Sequence, residues 1–316
     1  MFREKIKVLD CTIRDGGLAN NHDFSDDFVR ATYKALSESG VDYMEIGYKN
    51  SKKLFSPKDF GKWKFCDDDI IRKITDGIKS ETKISVMVDV DRVDMDDVVE
   101  RKNSPVAMVR VASYVKDIDK AIHLVNNFVD KGYETAVNIM AISRTRDDEL
   151  TECLQQLEEE SKANVIYIVD SFGALYQESV EFLIKKAKSI LKTKEIGIHT
   201  HNNQQLAFSN TIEAIIHDAN YVDATVYGLG RGAGNCPLEL MLGFLKNPKF
   251  DIRPILDLIS KELIPLSKKL EWGYLIPYAI TGMFDEHPRA AIELLSSNKR
   301  NNLREFYETF VSEDVE

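Results

Sequence analysis

The feature that most constrains the fold is a regular recurrence of short β-branched runs along the chain. Eight such runs begin between 23 and 42 residues apart, near Ile6, Val41, Lys83, Val106, Glu134, Asn164, Glu195 and Tyr221. Several runs are separated by segments whose apolar residues recur at intervals of three and four residues, as in residues 25–39, and this spacing predicts helices. Eight strands alternating with helices predict a (β/α)8 barrel, or TIM barrel, because strands buried on both faces have near-continuous apolar sequences.

The alternative architecture is a doubly wound open sheet. No GxGxxG motif follows the first predicted strand, which disfavours a dinucleotide-binding version of that fold. About 70 residues follow the eighth strand and its helix, and they have mostly helical patterns. No Gly/Ser-rich or Pro-rich linker precedes them. We therefore expect a barrel domain over residues 1–246 and a helical extension, packed on the barrel, over residues 247–316.

Composition narrows the class of partner. Of the 316 residues, 43% are hydrophobic and 30% are charged, and the net charge is −10. An acidic chain is not expected to bind nucleic acid or an anionic membrane as its main partner. The four cysteines form no CxxC pair, and the sequence contains neither a signal-peptide apolar segment nor an 18-residue apolar run. These features predict a soluble, reduced, cytoplasmic protein.

The polar residues at the predicted strand ends indicate a metal site. His199 and His201 are two residues apart on strand seven, so their side chains share a face; they are either metal ligands or core histidines. Asp15 follows strand one, which lies two strands away in a closed barrel. An Asp–His–His set leaves coordination positions open for chemistry. Its oxygen and nitrogen ligands favour Mg²⁺ or Mn²⁺ and leave Zn²⁺, Co²⁺ or Fe open.

Other polar residues meet the same end of the barrel. Arg14 is either a salt-bridge partner or a fixed cation that stabilises an enolate oxygen. Glu45, inside an apolar strand, needs a buried partner, for which Arg14 is the candidate. Arg110 on strand four, Asn138 on strand five and Ser171 after strand six are candidate substrate contacts.

A glycine-rich segment follows strand eight. Residues 228–234 are either a phosphate cradle or a flexible loop that brings Asn235 toward the metal site. The segment lacks the terminal Lys-Ser/Thr of a nucleotide-binding P-loop, which disfavours a nucleotide ligand.

Five motifs in order resemble one enzyme family. They are DCTIRDGG on strand one, EIG on strand two, DSFG on strand six, HTHNN on strand seven and GLGRGAGNCPLE after strand eight. They resemble the HMG-CoA-lyase-like enzymes, also called DRE-TIM metallolyases, over residues 6–245. The last motif looks most like the branch of 4-hydroxy-2-oxovalerate aldolases.

The resemblance implies a TIM barrel and a divalent-metal-dependent carbon–carbon lyase that acts on a 2-oxo acid such as pyruvate. It places Asp15, His199 and His201 on the metal ligands and Asn235 on a fourth position. It also places Arg14 on the enolate-stabilising arginine.

The resemblance also implies specific roles for three further residues. Glu45 matches the glutamate of the Asp-Arg-Glu signature, and Ser171 matches a contact to the substrate carboxylate. The segment GYLIPY is similar to the aldolases' GYxxxY, which would make Tyr278 the catalytic tyrosine.

The chain departs from this pattern at Leu18, where the aldolases carry a histidine that transfers protons. His22 either substitutes for it, if its loop folds back, or is a loop residue without that role. Two alternative functions stay open: an acyl-CoA-dependent Claisen synthase, disfavoured by the short extension, and a non-catalytic metal-binding barrel. The expected partners are a small oxo acid and a second copy of the chain in a homodimer; the sequence shows no interface for an aldehyde dehydrogenase.

Overall fold

A computed structural model describes residues 2–313, and in this range eight parallel strands close into a barrel in chain order. The first strand pairs with both the second and the eighth, which closes the sheet. The predicted (β/α)8 barrel is confirmed. The strands are β1 (Lys7–Asp10), β2 (Tyr43–Tyr48), β3 (Lys83–Asp89), β4 (Val106–Ser113), β5 (Glu134–Ile139), β6 (Val165–Asp170), β7 (Glu195–Thr200) and β8 (Tyr221–Ala224).

Helices surround the barrel and continue beyond it. Those of the barrel are α1 (Thr12–Gly16), α2 (Asp26–Glu38), α3 (Asp68–Thr75), α4 (Ile118–Asp130), α5 (Asp147–Glu160), α6 (Gln177–Ile190), α7 (Ala207–Ile216) and α8 (Leu238–Leu245). Those of the extension are α9 (Arg253–Leu258), α10 (Ile264–Ser267), α11 (Ile276–Met283), α12 (Arg289–Leu295) and α13 (Leu303–Glu313), with a π-helical turn, Ile259–Leu263, between α9 and α10.

Helix α2 shows how local sequence fixes an element. The Ser25 hydroxyl accepts a hydrogen bond from the Phe28 backbone N–H at 3.2 Å, which caps the helix, and two aspartates occupy its first turn. Its apolar face, including Val29 and Leu36, is fully buried. The connection from β3 to β4 differs: it forms two 3-10 turns, Met95–Asp97 and Arg101–Asn103, in place of an α-helix.

The extension packs in two parts. Residues of α9 and the π-helical turn, such as Ile255 and Leu263, belong to the main core of the barrel. Tyr278, Ile280, Ala291 and Phe306 form a separate cluster with Ala233 of the glycine-rich loop. The second part therefore lies over the carboxyl end of the barrel, while the division into domains at residue 246 stays a prediction. No helix in the described range is long and apolar enough to cross a membrane.

Candidate metal centre

Three buried side chains converge at the carboxyl end of the barrel. Asp15 lies in α1, directly after β1, while His199 lies on β7 and His201 follows that strand. The Nε2 atoms of His199 and His201 are 3.8 Å and 3.7 Å from Oδ2 of Asp15. The three residues are 0%, 3% and 9% exposed. The structure thus brings together the three residues that the sequence predicts as metal ligands.

The other ring nitrogen of each histidine fixes its orientation. His199 Nδ1–H donates to Asp223 Oδ2 at 2.8 Å, and His201 Nδ1–H donates to the Asp170 backbone carbonyl at 2.9 Å. Since both acceptors carry no proton to give, each Nε2 is left with a lone pair that faces Asp15. Burial lowers the pKa of His199, although the bond to Asp223 opposes this. Imidazoles that turn their Nε2 atoms toward a shared carboxylate are suited to bind a metal ion.

Asp15 is held in its ionised form. Burial alone would raise its pKa, but Arg14 and then His201 hold the pKa well below the ordinary value. Arg14 Nη1 donates to Asp15 Oδ2, and the backbone N–H of Arg231 donates to Asp15 Oδ1 at 3.1 Å. The carboxylate therefore keeps a fixed orientation toward the two histidines.

A network of charges continues from Arg14 through the barrel interior. Glu45 Oε2 accepts from Arg14 Nε at 2.7 Å and from Arg110 Nη1 at 3.0 Å. Arg110 Nη2 donates to Asp223 Oδ2 at 2.5 Å, which returns the network to His199. With Asp15, three carboxylates face two guanidinium groups, so a buried negative charge remains to be neutralised. A divalent cation beside Asp15 would neutralise this negative charge and give the unpartnered Nε2 of His199 a partner.

A second buried set shares His199 but is a poorer metal site. Cys11, His199 and Asp223 are also close enough to hold an ion. Burial raises the pKa of the Cys11 thiol well above its ordinary value, and a protonated thiol is a poor ligand. His199 Nδ1 is also already committed to Asp223. A third group is half-buried at the protein surface. It consists of Glu181 on α6, Glu213 on α7 and His217 at the C-terminal end of α7. Acidic groups of this kind are common on protein surfaces without a bound ion.

The glycine-rich loop places Asn235 against Asp15. Asn235 forms an isolated β-bridge with His201, and its buried Oδ1 has no hydrogen-bond partner among residues 2–313. A Cβ on Gly230 would overlap the Asn235 amide nitrogen and lie 2.8 Å from Asp15 Oδ1. Only glycine fits between these two side chains. Of the two interpretations of this loop, the geometry favours the one in which it carries Asn235 to the metal centre.

The candidate substrate contacts have different environments. Arg110 is fully buried, with Glu45 and Asp223 on its two terminal nitrogens, and its Nε has no partner among residues 2–313. Its role as a substrate contact stays a prediction. Asn138 is 2% exposed, and its Oδ1 has no partner in the described part of the chain. The Ser171 hydroxyl accepts from the Ala141 backbone N–H at 2.8 Å.

The two candidate proton carriers, Tyr278 and His22, have different neighbours. Tyr278 is buried against Gly232, and burial raises the pKa of its phenol; the charges that act on it are Glu271, Arg231 and Arg300. His22 is 1% exposed and meets the ring of Tyr48 edge-on at 5.4 Å.

The environment of His22 makes it a weak base. Burial first, and then Lys64 and Arg14, lower its pKa to about 3. Its loop does fold back, with the His22 N–H donating to the Gly17 carbonyl at 2.7 Å. The proton-transfer roles of Tyr278 and His22 stay predictions.

An open cavity of about 470 Å³ adjoins the metal centre. Its apolar side is formed by Leu18, which packs with Tyr48, Met87, Ala112 and Met140. Leu18, which stands where the aldolases carry a histidine, thus contributes to an apolar surface.

Sequence reasoning missed three residues near this end of the barrel. Asp223 orients His199, and its signal was a carboxylate inside an apolar strand, as for Glu45. His287, which belongs to none of the sequence motifs, lines the cavity and accepts from Arg231 Nη1 at 3.3 Å. Lys64 also lines the cavity, from a segment without periodicity that offered no signal.

The fold and the site together define a class: a (β/α)8 barrel with a buried Asp–His–His set, suited to a divalent metal, at the carboxyl ends of its strands. A family model described as HMGL-like matches residues 5–260. The chain belongs to the HMGL-like family, as the sequence motifs predicted.

Its relatives include enzymes named 4-hydroxy-2-oxovalerate aldolase. The one from Thermus thermophilus is 30% identical over 263 residues, which cover 82% of this chain and 75% of the relative. The one from Carboxydothermus hydrogenoformans is 27% identical over 314 residues, which cover 96% and 91% of the two chains. These names support the aldolase branch that the glycine-rich motif indicated.

Solved structures resemble the chain over its whole fold. The N-terminal domain of "a putative aldolase" from Bacteroides vulgatus has a TM-score of 0.81 at 29% identity and covers 95% of this chain and 99% of that one. The carboxyl transferase domain of Rhizobium etli pyruvate carboxylase has a TM-score of 0.71 at 14% identity, with 96% and 55% covered. The second likeness is one of fold alone.

Proposed function

We propose that the chain is a divalent-metal-dependent carbon–carbon lyase, an aldolase that acts on a 2-oxo acid or a 4-hydroxy-2-oxo acid through an enolate. The observation that carries this proposal is the convergence of Asp15 with the free Nε2 atoms of His199 and His201, beside the guanidinium of Arg14. The names of the relatives support the same reaction.

The proposed metal ligands are Asp15, His199 and His201, with Asn235 as the fourth. A divalent ion held there, Mg²⁺ or Mn²⁺ by the ligand chemistry, supplies Lewis-acid stabilisation of charge on the keto oxygen. Zn²⁺ and Co²⁺ are the alternatives for the same ligand set.

Arg14 shares the developing charge. Its Nε is bonded to Glu45 and its Nη1 to Asp15, while Nη2 makes no hydrogen bond within residues 2–313. Because two of its nitrogens are anchored, Nη2 is pre-organised to donate to an enolate oxygen. Glu45 is the residue that positions Arg14, and Ser171 and Asn138 are the proposed contacts to the rest of the oxo acid.

The proton balance requires one carrier in each direction. In cleavage, a base takes the proton of the 4-hydroxyl group, the carbon–carbon bond breaks, an aldehyde leaves, and the enolate is protonated on carbon. In the aldol direction the same steps run in reverse. Tyr278 and His22 are the proposed carriers, and the pKa of His22, lowered to about 3, makes that residue the weaker base.

The test is proton exchange of the pyruvate methyl group in deuterated water with added Mn²⁺, followed by NMR. We expect exchange by the wild type and a loss of about 100-fold or more in Asp15→Asn. The matched control, Asp130→Asn, removes a carboxylate on α4 that pairs with Lys162 at the surface, and it should exchange like the wild type. Wild-type protein without exchange, or Asp15→Asn with undiminished exchange, would overturn the proposal.

The two alternative functions are less well supported. The relatives from Thermus thermophilus and Carboxydothermus hydrogenoformans are both named as aldolases, which favours an aldolase over a Claisen synthase. Release of free CoA from acetyl-CoA with a 2-oxo acid would restore that alternative. Metal binding without any turnover would instead favour the non-catalytic barrel.

A further inference from the structure

The cavity beside the metal centre is basic in an otherwise acidic protein. Its lining includes five basic side chains, Lys64, Arg92, Lys116, Arg231 and Arg289, and three carboxylates, Asp89, Asp91 and Asp117. The chain as a whole carries a net charge of −10. A local excess of two positive charges therefore marks this cavity as a place for an anion.

The three carboxylates are already engaged by other cations. Asp89 pairs with Arg92 at 3.3 Å, and both Asp91 and Asp117 face Lys120. No carboxylate within residues 2–313 pairs with the remaining cations of the cavity: Lys64, Lys116, Arg231 and Arg289. Their charges are thus left for a ligand to balance.

Lys64 is the most unusual of these cations because it is buried. The residue is only 6% exposed, and its Nζ lies over the rings of Tyr48, Phe55 and Phe60 at 4.8, 4.7 and 5.4 Å from their centroids. Such ring contacts offset only part of the cost of burying an ammonium group. Burial lowers the pKa of Lys64, Asp89 opposes this, and Arg92 adds to it.

Arg231 links the cavity to the candidate metal centre. The backbone N–H of Arg231 donates to Asp15, while its side chain lines the cavity and donates to His287. The Arg231 Nε atom is buried without a partner among the described residues. Leu18 and Met140 supply an apolar surface in the same cavity.

We propose that this cavity binds an anionic group, a carboxylate or a phosphate, on the aldehyde half of the substrate, with Lys64 as the buried anchor and Arg231 and Arg289 beside it. The proposal rests on the proposed aldolase function. The metal centre and Arg14 take the oxo-acid end, and the apolar surface at Leu18 takes the carbon chain. The aldehyde half of 4-hydroxy-2-oxovalerate ends in a methyl group, which would leave these cations without a partner.

The test uses aldehydes that differ in charge and little else. Succinic semialdehyde is compared with butanal, and glyceraldehyde 3-phosphate with glyceraldehyde, each with pyruvate and Mn²⁺, by kcat/KM for pyruvate consumption. We expect at least one anionic aldehyde to exceed its neutral counterpart by 10-fold or more. The pair with the larger ratio distinguishes a carboxylate from a phosphate substrate. Ratios near one in both pairs would overturn the proposal.

Variants then assign the preference to residues. Lys64→Met keeps a side chain that packs in the ring cage and should lower the anionic-to-neutral ratio about 10-fold, whereas Lys64→Arg should retain most of it. Arg289→Met, at an exposed site, should lower the ratio less. The matched control is Lys52→Met, which removes an exposed lysine paired with Asp67 and should leave the ratio unchanged. Equal losses with charged and neutral aldehydes in Lys64→Met would mean that Lys64 does not recognise the anion.

Two measurements separate this proposal from the proposed function. Pyruvate exchange in deuterated water needs no aldehyde, so exchange without an anionic preference overturns the cavity proposal alone. Binding of succinate and of glycerol 3-phosphate, measured by calorimetry, needs no turnover. We expect at least one of them to bind, about 10-fold more weakly in Lys64→Met; no binding of either to the wild type would count against the cavity even if exchange is also absent.

Discussion

Two groups of charged side chains at the carboxyl end of the barrel are built in opposite ways. In the interior, Arg14, Glu45, Arg110 and Asp223 bond to one another and are buried. In the cavity outside, cations such as Lys64 have no carboxylate partner among the described residues. The interior group holds the geometry of the metal centre, because each charge fixes the next. The outer group is complete only when a solute supplies the opposite charge.

The largest expected effect comes from breaking the interior network. Arg110→Met leaves Glu45 and Asp223 without their shared cation and should lower the free energy of unfolding by about 3–5 kcal/mol in urea denaturation. Arg289→Met, its matched control in the cavity, should change stability by less than about 0.5 kcal/mol. Equal losses in the two variants would contradict the distinction between the groups.

A smaller effect is expected where the network meets the metal centre. Asp223→Asn weakens the acceptor of His199 Nδ1–H and should lower Mn²⁺ affinity about 10- to 100-fold in a calorimetric titration. Asp42→Asn is the control, since Asp42 binds Lys7 and Lys249 near the start of β1. If the Mn²⁺ affinity of Asp223→Asn equals that of the wild type, the hydrogen bond from His199 to Asp223 is not needed for metal binding.

Salt should act on the outer group and spare neutral substrates. Raising the salt concentration from about 0.05 M to 0.5 M shortens the screening length to a few ångströms, so KM for the preferred anionic aldehyde should rise several-fold at saturating pyruvate. KM for its neutral counterpart should change less than about twofold. A parallel rise of both values would argue that the cavity charges do not act on the aldehyde.

The smallest expected effect concerns His287 and pH. Burial, then Arg231 and Arg289, lower its pKa from 6.5 to about 4. His287 therefore takes up a proton near pH 6.5 in the unfolded chain but only near pH 4 in the folded chain. The contribution of His287 to the free energy of unfolding is thus fully present above pH 6.5 and is lost as the pH falls toward 4. His287→Asn should reduce the stability difference between pH 7 and pH 5 by less than about 1 kcal/mol, since solvent screens a half-exposed ring.

The matched control for this prediction is His123→Asn, at an exposed position on α4. Urea midpoints at the two pH values would be compared among the three proteins. If the stability difference between pH 7 and pH 5 is the same in His287→Asn as in the wild type, His287 does not contribute to the pH dependence of stability.

The sequence was sufficient to predict the barrel and to bring three candidate metal ligands together at one rim, while their binding of a metal stays a prediction. Parallel strands are buried on both faces, so their apolar runs are visible without tertiary information, and the predicted starts lie within two residues of those observed. Asp15, His199 and His201 could be placed because a barrel brings all strand ends to one rim. The predicted ion pair of Glu45 with Arg14 is also observed.

The cavity could not be predicted in this way. Lys64 lies in the long segment between β2 and α3, and its burial depends on rings at positions 48, 55 and 60 that come together only in the folded chain. Helix α11, which carries Tyr278, is only eight residues long and gave no clear helical period. His22 is buried by a loop in which Asn21 and His22 both have positive φ, a conformation with no signal in the sequence.

The shared packing of Ala233 with the C-terminal helices has a mechanical consequence. Ala233 lies in the same loop as Arg231 and Asn235 and packs in one cluster with Tyr278 and Phe306. A substitution that loosens the packing of α11 or α13 is therefore expected to loosen the loop whose Arg231 backbone N–H donates to Asp15 as well. The stability of the extension and the geometry of the candidate metal site are expected to vary together.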